Sequence, residues 1–220
     1  MKIMLSRILT LVCAALLLGA GARAEVQATV QDAKGKPVAE AVVYLIPAKG
    51  KAPAVKKDTI AFMDQVNKQF SPRVLPIQTG AQVRFPNKDN ILHHVYSFSE
   101  AKSFELPLQK DRKSDPVLFD KPGEVAVGCN VHDWMIGYIF VVDTPWFAMT
   151  GKKGDLTIGD VPAGDYKAYV YTPDMKGDYK KTGKKVTVDK KGNGKVAFKI
   201  EMKKKSGNSR APAPGGGFAY

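Results

Sequence analysis

Cys129, His132 and Met135 stand three residues apart in the string Gly128-Cys129-Asn130-Val131-His132-Asp133-Trp134-Met135. One short loop therefore carries a thiol, an imidazole and a thioether. Soft sulfur ligands combined with imidazole select copper, and two histidines, one cysteine and a weak, long axial methionine form the blue-copper set. Such a set needs a second histidine. The candidates are adjacent, in Ile91-Leu92-His93-His94-Val95-Tyr96-Ser97-Phe98. Neighbouring strand residues face opposite sides of a sheet, so only one of His93 and His94 can look inward. Taken singly, each residue has a plainer reading: a buried thiol for Cys129, a surface imidazole for His132, core packing for Met135. Their convergence argues for a site. With Cys13 inside an N-terminal leader, the rest of the chain holds one Cys and three His. Zinc prefers a closed tetrahedral set with more thiolates or carboxylates, and no second cysteine remains to supply one. Trp134, in the same loop, reads either as packing against Ile136 and Tyr138 or as an aromatic at the rim of the site.

The elements that must position these residues read as strands. Residues 124–128 deliver Cys129. The almost unbroken apolar run 136–142 leaves the loop and has the composition of a strand buried on both faces. Elsewhere apolar and polar residues alternate: Val26, Ala28, Val30; Ala81, Val83, Phe85; Phe104, Leu106, Leu108; Tyr166, Ala168, Val170; Val196, Phe198, Ile200. Short runs of period two, broken by Gly, Pro, Asn and Asp, are the signature of sandwich or barrel strands. No amphipathic helix is evident, and residues 61–68 allow one short helical turn at most.

Composition bounds the setting. The chain has 220 residues, 34 Lys+Arg against 21 Asp+Glu, and a net charge of +13. Lys2 and Arg7, an apolar run over 8–20, and Ala22-Arg23-Ala24 form a secretory leader over 1–24, too short for a membrane span. The expected location is the periplasm. No later stretch is long and apolar enough for an integral membrane segment. A lone cysteine in an oxidising compartment has no partner for an internal disulfide. Lysines crowd the late part of the chain at 176, 180, 181, 184, 185, 190, 191, 195 and 203–205. Such a run is a solvated face or a docking surface for an acidic protein or an anionic membrane. Nucleic acid is not an expected partner of an exported protein. The Lys-, Pro- and Gly-rich tail over 203–220 has too little apolar content to bury and is expected to be disordered.

Two segments about a hundred residues apart look like halves of one unit. Residues 30–45 read V-Q-D-A-K-G-K-P-V-A-E-A-V-V-Y-L, and 148–170 read A-M-T-G-K-K-G-D-L-T-I-G-D-V-P-A-G-D-Y-K-A-Y-V. Together they resemble a carboxypeptidase-regulatory-like, transthyretin-like β-sandwich, which carries a G-x-P-V pair early and a P-x-G-x-Y pair late. The resemblance implies a sandwich from 25–52 and 144–202, with a second domain, 53–143, inserted at a turn.

The inserted segment resembles the cupredoxins, the plastocyanin and amicyanin group. Asn87 to Val95 is similar to that family's N-x₅-H-N-V strand start, with His93 at the ligand position and His94 where Asn is usual. Cys129, His132 and Met135 match the short C-x₂-H-x₂-M loop, with Asp133 where proline is usual. The strings H-H-V-Y-S-F-S and C-N-x-H-x-W-M also resemble periplasmic proteins labelled methylamine-utilisation proteins. The expected fold is therefore all-β: a cupredoxin Greek-key sandwich plus a smaller regulatory-like one. The resemblance implies a type 1 site of His93, Cys129, His132 and Met135 holding one Cu(I)/Cu(II) per chain. It further implies single-electron transfer between redox partner proteins rather than enzymatic turnover. A copper-holding or copper-delivery protein, and a binding module with a vestigial site, are the other readings.

Overall fold

A computed structural model describes residues 25–108, 115–189 and 193–204. The expected leader over 1–24, the tail from 205, and Lys190 and Lys191 lie outside the described residues. In chain order the strands are β1 (Glu25–Asp32), β2 (Val42–Pro47), β3 (Ile60–Phe62), β4 (Asp64–Val66), β5 (Gln69–Ser71), β6 (Val74–Gln78), β7 (Gln82–Arg84), β8 (His93–Ser99), β9 (Lys102–Leu108), β10 (Val117–Leu118), β11 (Gly123–Cys129), β12 (Ile136–Val142), β13 (Phe147–Met149), β14 (Asp155–Ile158), β15 (Gly164–Tyr171), β16 (Lys184–Val188) and β17 (Asn193–Ile200). Among the described residues the only helical element is a 3-10 turn, Tyr179–Thr182. The chain is all-β, and none of its described helices is long and apolar enough to cross a membrane.

Two sheets are built jointly by early and late strands. β1 lies between β14, antiparallel to it, and β17, parallel to it. β2 lies between β13 and β15, and β16 follows β15. The alternating residues noted above supply the layer between them: Val26, Ala28 and Val30 from β1 meet Val43, Leu45, Ala168, Val170, Phe198 and Ile200. One glycine ties the early segment to the late one. Gly154 has φ +73, and a Cβ there would lie 2.5 Å from the Val30 carbonyl oxygen. The Val30 N–H donates to the Gly154 carbonyl at 2.7 Å.

The intervening segment forms two larger sheets, β6-β12-β11-β8-β9 and β10-β7-β3, and the two-stranded β4-β5. Val83, Phe85, Val95, Phe119, Val125, Val127 and Ile139 fill the space between them, together with Cys129 and Met135. β12 shows why the run 136–142 is apolar throughout. Ile139 and Val141 face this layer, while Phe140 and Val142 face the opposite way, into a third cluster with Val42, Tyr44, Val74 and Tyr171. Phe140 stacks on Tyr171 with ring centres 3.9 Å apart and planes 6° from parallel. The outer faces of β2–β15 and β6–β12 are thus pressed together, giving three apolar layers in all. Arg73 spans the same junction, donating to both carboxylate oxygens of Asp174 at 3.0 and 2.9 Å and lying 5.4 Å over the Tyr138 ring. This ion pair is partly solvated and contributes modestly, so the apolar layer is the main tie.

Two expectations change. Residues 61–68 contain no helical turn: they belong to β3 and to the hairpin β4–β5. Asn67 and Lys68 make its two-residue turn with φ of 53° and 59°, the mirror-image geometry that matches strand twist. Lys203, assigned to the tail on composition, is held by two hydrogen bonds, from its N–H to the Asp174 carbonyl and from its ammonium to the Pro173 carbonyl.

Candidate metal centre

β11 and β8 lie side by side, with Cys129 paired to Val95. The end of β11 and the start of β8 therefore meet at one edge of the sandwich, and they carry Cys129 and His93. The loop after Cys129 is closed by backbone bonds: the Asn130 N–H donates to the His94 carbonyl at 3.0 Å, and the Met135 N–H to the His132 carbonyl at 2.9 Å. This short turn folds His132 back over the thiol. Cys129 Sγ lies 3.5 Å from His93 Nδ1 and 3.8 Å from His132 Nδ1. The three ligand atoms are all within 4.8 Å of one another, and all three residues are buried. Met135 is buried in the same apolar layer as Cys129.

Of the two adjacent histidines, the pleat brings His93 to the thiol and turns His94 away. His94 is partly exposed, and its Nε2 is 3.7 Å from Glu105 on β9. This makes a prediction. With copper added, His93→Ala should lose the site's visible absorption, while His94→Ala should keep it with at most a small shift in band position. The reverse result in an absorbance titration would mean a one-residue slip of β8, which exchanges inward and outward faces.

Sequence reasoning missed Asp89. Its Oδ2 lies 2.9 Å from His93 Nε2. The only signal was a carboxylate four residues before His93 in a polar loop. Burial alone would raise the Asp89 carboxyl; the Lys68 N–H, the His93 ring and the Asn67 N–H outweigh it and hold the group below its ordinary value. Asp89 is therefore ionised at neutral pH. Burial first, then the neighbouring His93 and Lys68, lower His132 below the usual imidazole range. His132 is thus neutral at pH 7, the form that can bind a metal.

Trp134 resolves to the rim. It is 61% exposed and stands edge-on to His132 at 5.3 Å between ring centres. Val131 and Leu92, also exposed, belong to the two loops that bring His132 and His93 to the site.

The donor set fits copper. It offers one sulfur and two imidazole nitrogens from three buried residues, with a thioether in the adjoining core and no second thiolate among the described residues.

Residues 145–196 match the family model described as polysaccharide lyase family 4, domain II. No curated protein matches the chain. Among solved structures, a copper-containing nitrite reductase from Thermus scotoductus SA-01 is similar at 27% identity and a TM-score of 0.36, covering 44% of this chain and 25% of that one. This chain therefore spans about a quarter of that reductase. A reduced proline-to-phenylalanine variant of amicyanin is similar at 19% identity and a TM-score of 0.34, over 45% of this chain and 99% of that one. A reduced tryptophan-to-tyrosine variant of amicyanin gives 18% identity and a TM-score of 0.35, over 46% and 98%.

Proposed function

We propose that this chain is a periplasmic type 1 copper protein that passes single electrons between redox partner proteins. The single observation that carries this reading is the buried convergence of His93, Cys129 and His132, whose ligand atoms lie within 4.8 Å of one another. Met135 is the proposed weak axial ligand. The ion would supply one-electron cycling between Cu(I) and Cu(II). The chain's own part is to hold the donors still: Cys129 ends one strand, Met135 immediately precedes another, and the loop between them is bonded to itself and to His94. A short loop anchored at both ends favours a carrier, because little rearranges when the charge at the site changes. Enclosure of the donors favours a carrier over an enzyme that must admit substrate. Periplasmic location rests on the leader over 1–24. We propose further that 25–52 and 144–202 form one domain interrupted by 53–143, as the pairing of β1 and β2 with late strands supports. An acidic redox partner would suit the lysines of the late strands.

The test begins with metal-free protein titrated with Cu(II). The expected result is an intense visible band that saturates at one copper per chain. A reversible one-electron wave at an electrode should follow, and the reduced protein should keep its copper against excess soft chelator. A titration without such a band overturns the copper reading. Rapid loss of Cu(I) with no reversible wave overturns electron transfer and favours copper delivery.

A further inference from the structure

The imidazole of His93 is held from both ends. Nδ1 lies 3.5 Å from Cys129 Sγ, and Nε2 lies 2.9 Å from Asp89 Oδ2. Both Asp89 oxygens already accept backbone N–H groups, so Oδ2 faces the ring as an acceptor, the ring proton sits on Nε2, and the lone pair on Nδ1 points into the site. Asp89 is itself fixed. The Asn67 N–H donates to Oδ1 at 2.7 Å and the Lys68 N–H to Oδ2 at 2.8 Å. The left-handed backbone of Asn67 and Lys68 turns these two successive N–H groups toward one carboxylate. The Asp89 N–H donates to Asn87 Oδ1 at 2.9 Å, and Asn87 Nδ2 donates to the Ile91 carbonyl at 2.8 Å. Lys88 pairs with Asp64 on β4 and binds the same loop to the same hairpin. One connected path therefore runs from the tip of β4–β5 through a carboxylate to the imidazole.

We propose that Asp89 is a positioning residue that sets the tautomer and orientation of His93 and thereby tunes the copper couple. The inference rests on the copper reading. A carboxylate behind a ligating imidazole raises its donor strength, and loss of such a partner typically weakens metal binding roughly 10–100-fold. Stronger donation favours the more highly charged ion, so the Asp89 carboxylate should hold the reduction potential down.

The test uses the full chain with Asp89→Asn, Asp89→Ala and, as a control for charge alone, Glu105→Gln beside the outward His94. In the metal-free protein, nitrogen-15 NMR of the imidazoles should show His93 with a slowly exchanging Nε2 proton. Asp89→Asn keeps an acceptor oxygen and should keep that proton, while Asp89→Ala should lose it. With copper bound, both Asp89 variants should have a raised potential. Asp89→Ala should also bind Cu(II) roughly 10–100-fold more weakly than the native chain. Glu105→Gln should change neither property. Should Asp89→Ala fail to fold, the potential of Asp89→Asn decides. An unchanged potential in that variant, or a slowly exchanging Nε2 proton surviving in Asp89→Ala, overturns the proposal. A native chain that takes up no copper overturns the copper reading instead, and the metal-free NMR still decides how His93 is held.

Discussion

Cys129→Ser should yield a folded protein with no intense visible band after equimolar Cu(II). The band requires a thiolate bound to Cu(II). A serine hydroxyl is a hard donor that stays protonated at neutral pH, so the substitution removes the chromophore at its source. The fold should survive because the change replaces one atom. The new hydroxyl is buried, but two imidazole nitrogens lie nearby, at 3.5 and 3.8 Å from the present sulfur. Imperfect pairing of a buried polar group costs about 1–3 kcal/mol, against a typical domain stability of about 5–15 kcal/mol. Absorbance, copper content and far-ultraviolet circular dichroism measured together make the check. Stoichiometric colour in the serine variant would place the site elsewhere.

Removing residues 25–52 should unfold the late strands as well. β1 is the middle strand of one sheet and β2 is an inner strand of its partner, so the deletion removes the centre of both. Val26, Val30, Val43 and Leu45 are fully buried. At about 1.5–3 kcal/mol each, these four side chains alone match roughly the whole stability of a typical domain. The deletion also bares the β14, β15 and β17 edges, which invites association. Calorimetry and limited proteolysis should therefore show no cooperative transition and rapid cleavage across 144–204. A truncated chain whose late strands stay protected would show them to be an independent unit.

The sequence revealed most where a side chain's environment repeats with the local period. The triplets in β1, β7 and β17 alternate because each strand has one buried face. The run 136–142 lacks that alternation because β12 is packed on both sides, and an unbroken apolar string is its signature. What covers the second face was not legible. Phe140 meets Tyr171 only through the stacking of two sheets, which no local pattern encodes. The hairpin β4–β5 was missed because Asn67-Lys68 lacks the glycine that usually marks such turns. The site divides in the same way. Cys129, His132 and Met135 lie within seven residues and could be read together. The opposite facing of His93 and His94 follows from the strand period. Asp89 could not be weighted, because its importance depends on a hairpin tip some twenty residues upstream.

The parallel register of β1 on β17 pairs Glu25 with Asn193. This constrains the order of folding. The first strand cannot find its long partner until nearly the whole chain has emerged. Contacts so distant in sequence form slowly, because the cost of closing a loop precedes any gain from pairing. The intervening segment shortens that search. Gln78 donates to the Pro53 carbonyl at 2.6 Å, and the Thr79 hydroxyl to Asp143 at 2.6 Å. Both ends of the segment are therefore held near the same β-turn once it has folded. The long loop between β2 and β13 then behaves as a short tether. His93, Cys129 and His132 all lie within this segment, so the donor pocket can be assembled while β1 and β2 still await their partners. During that interval the edges of β2 are open to other chains, and this is the stage at which misassembly should begin.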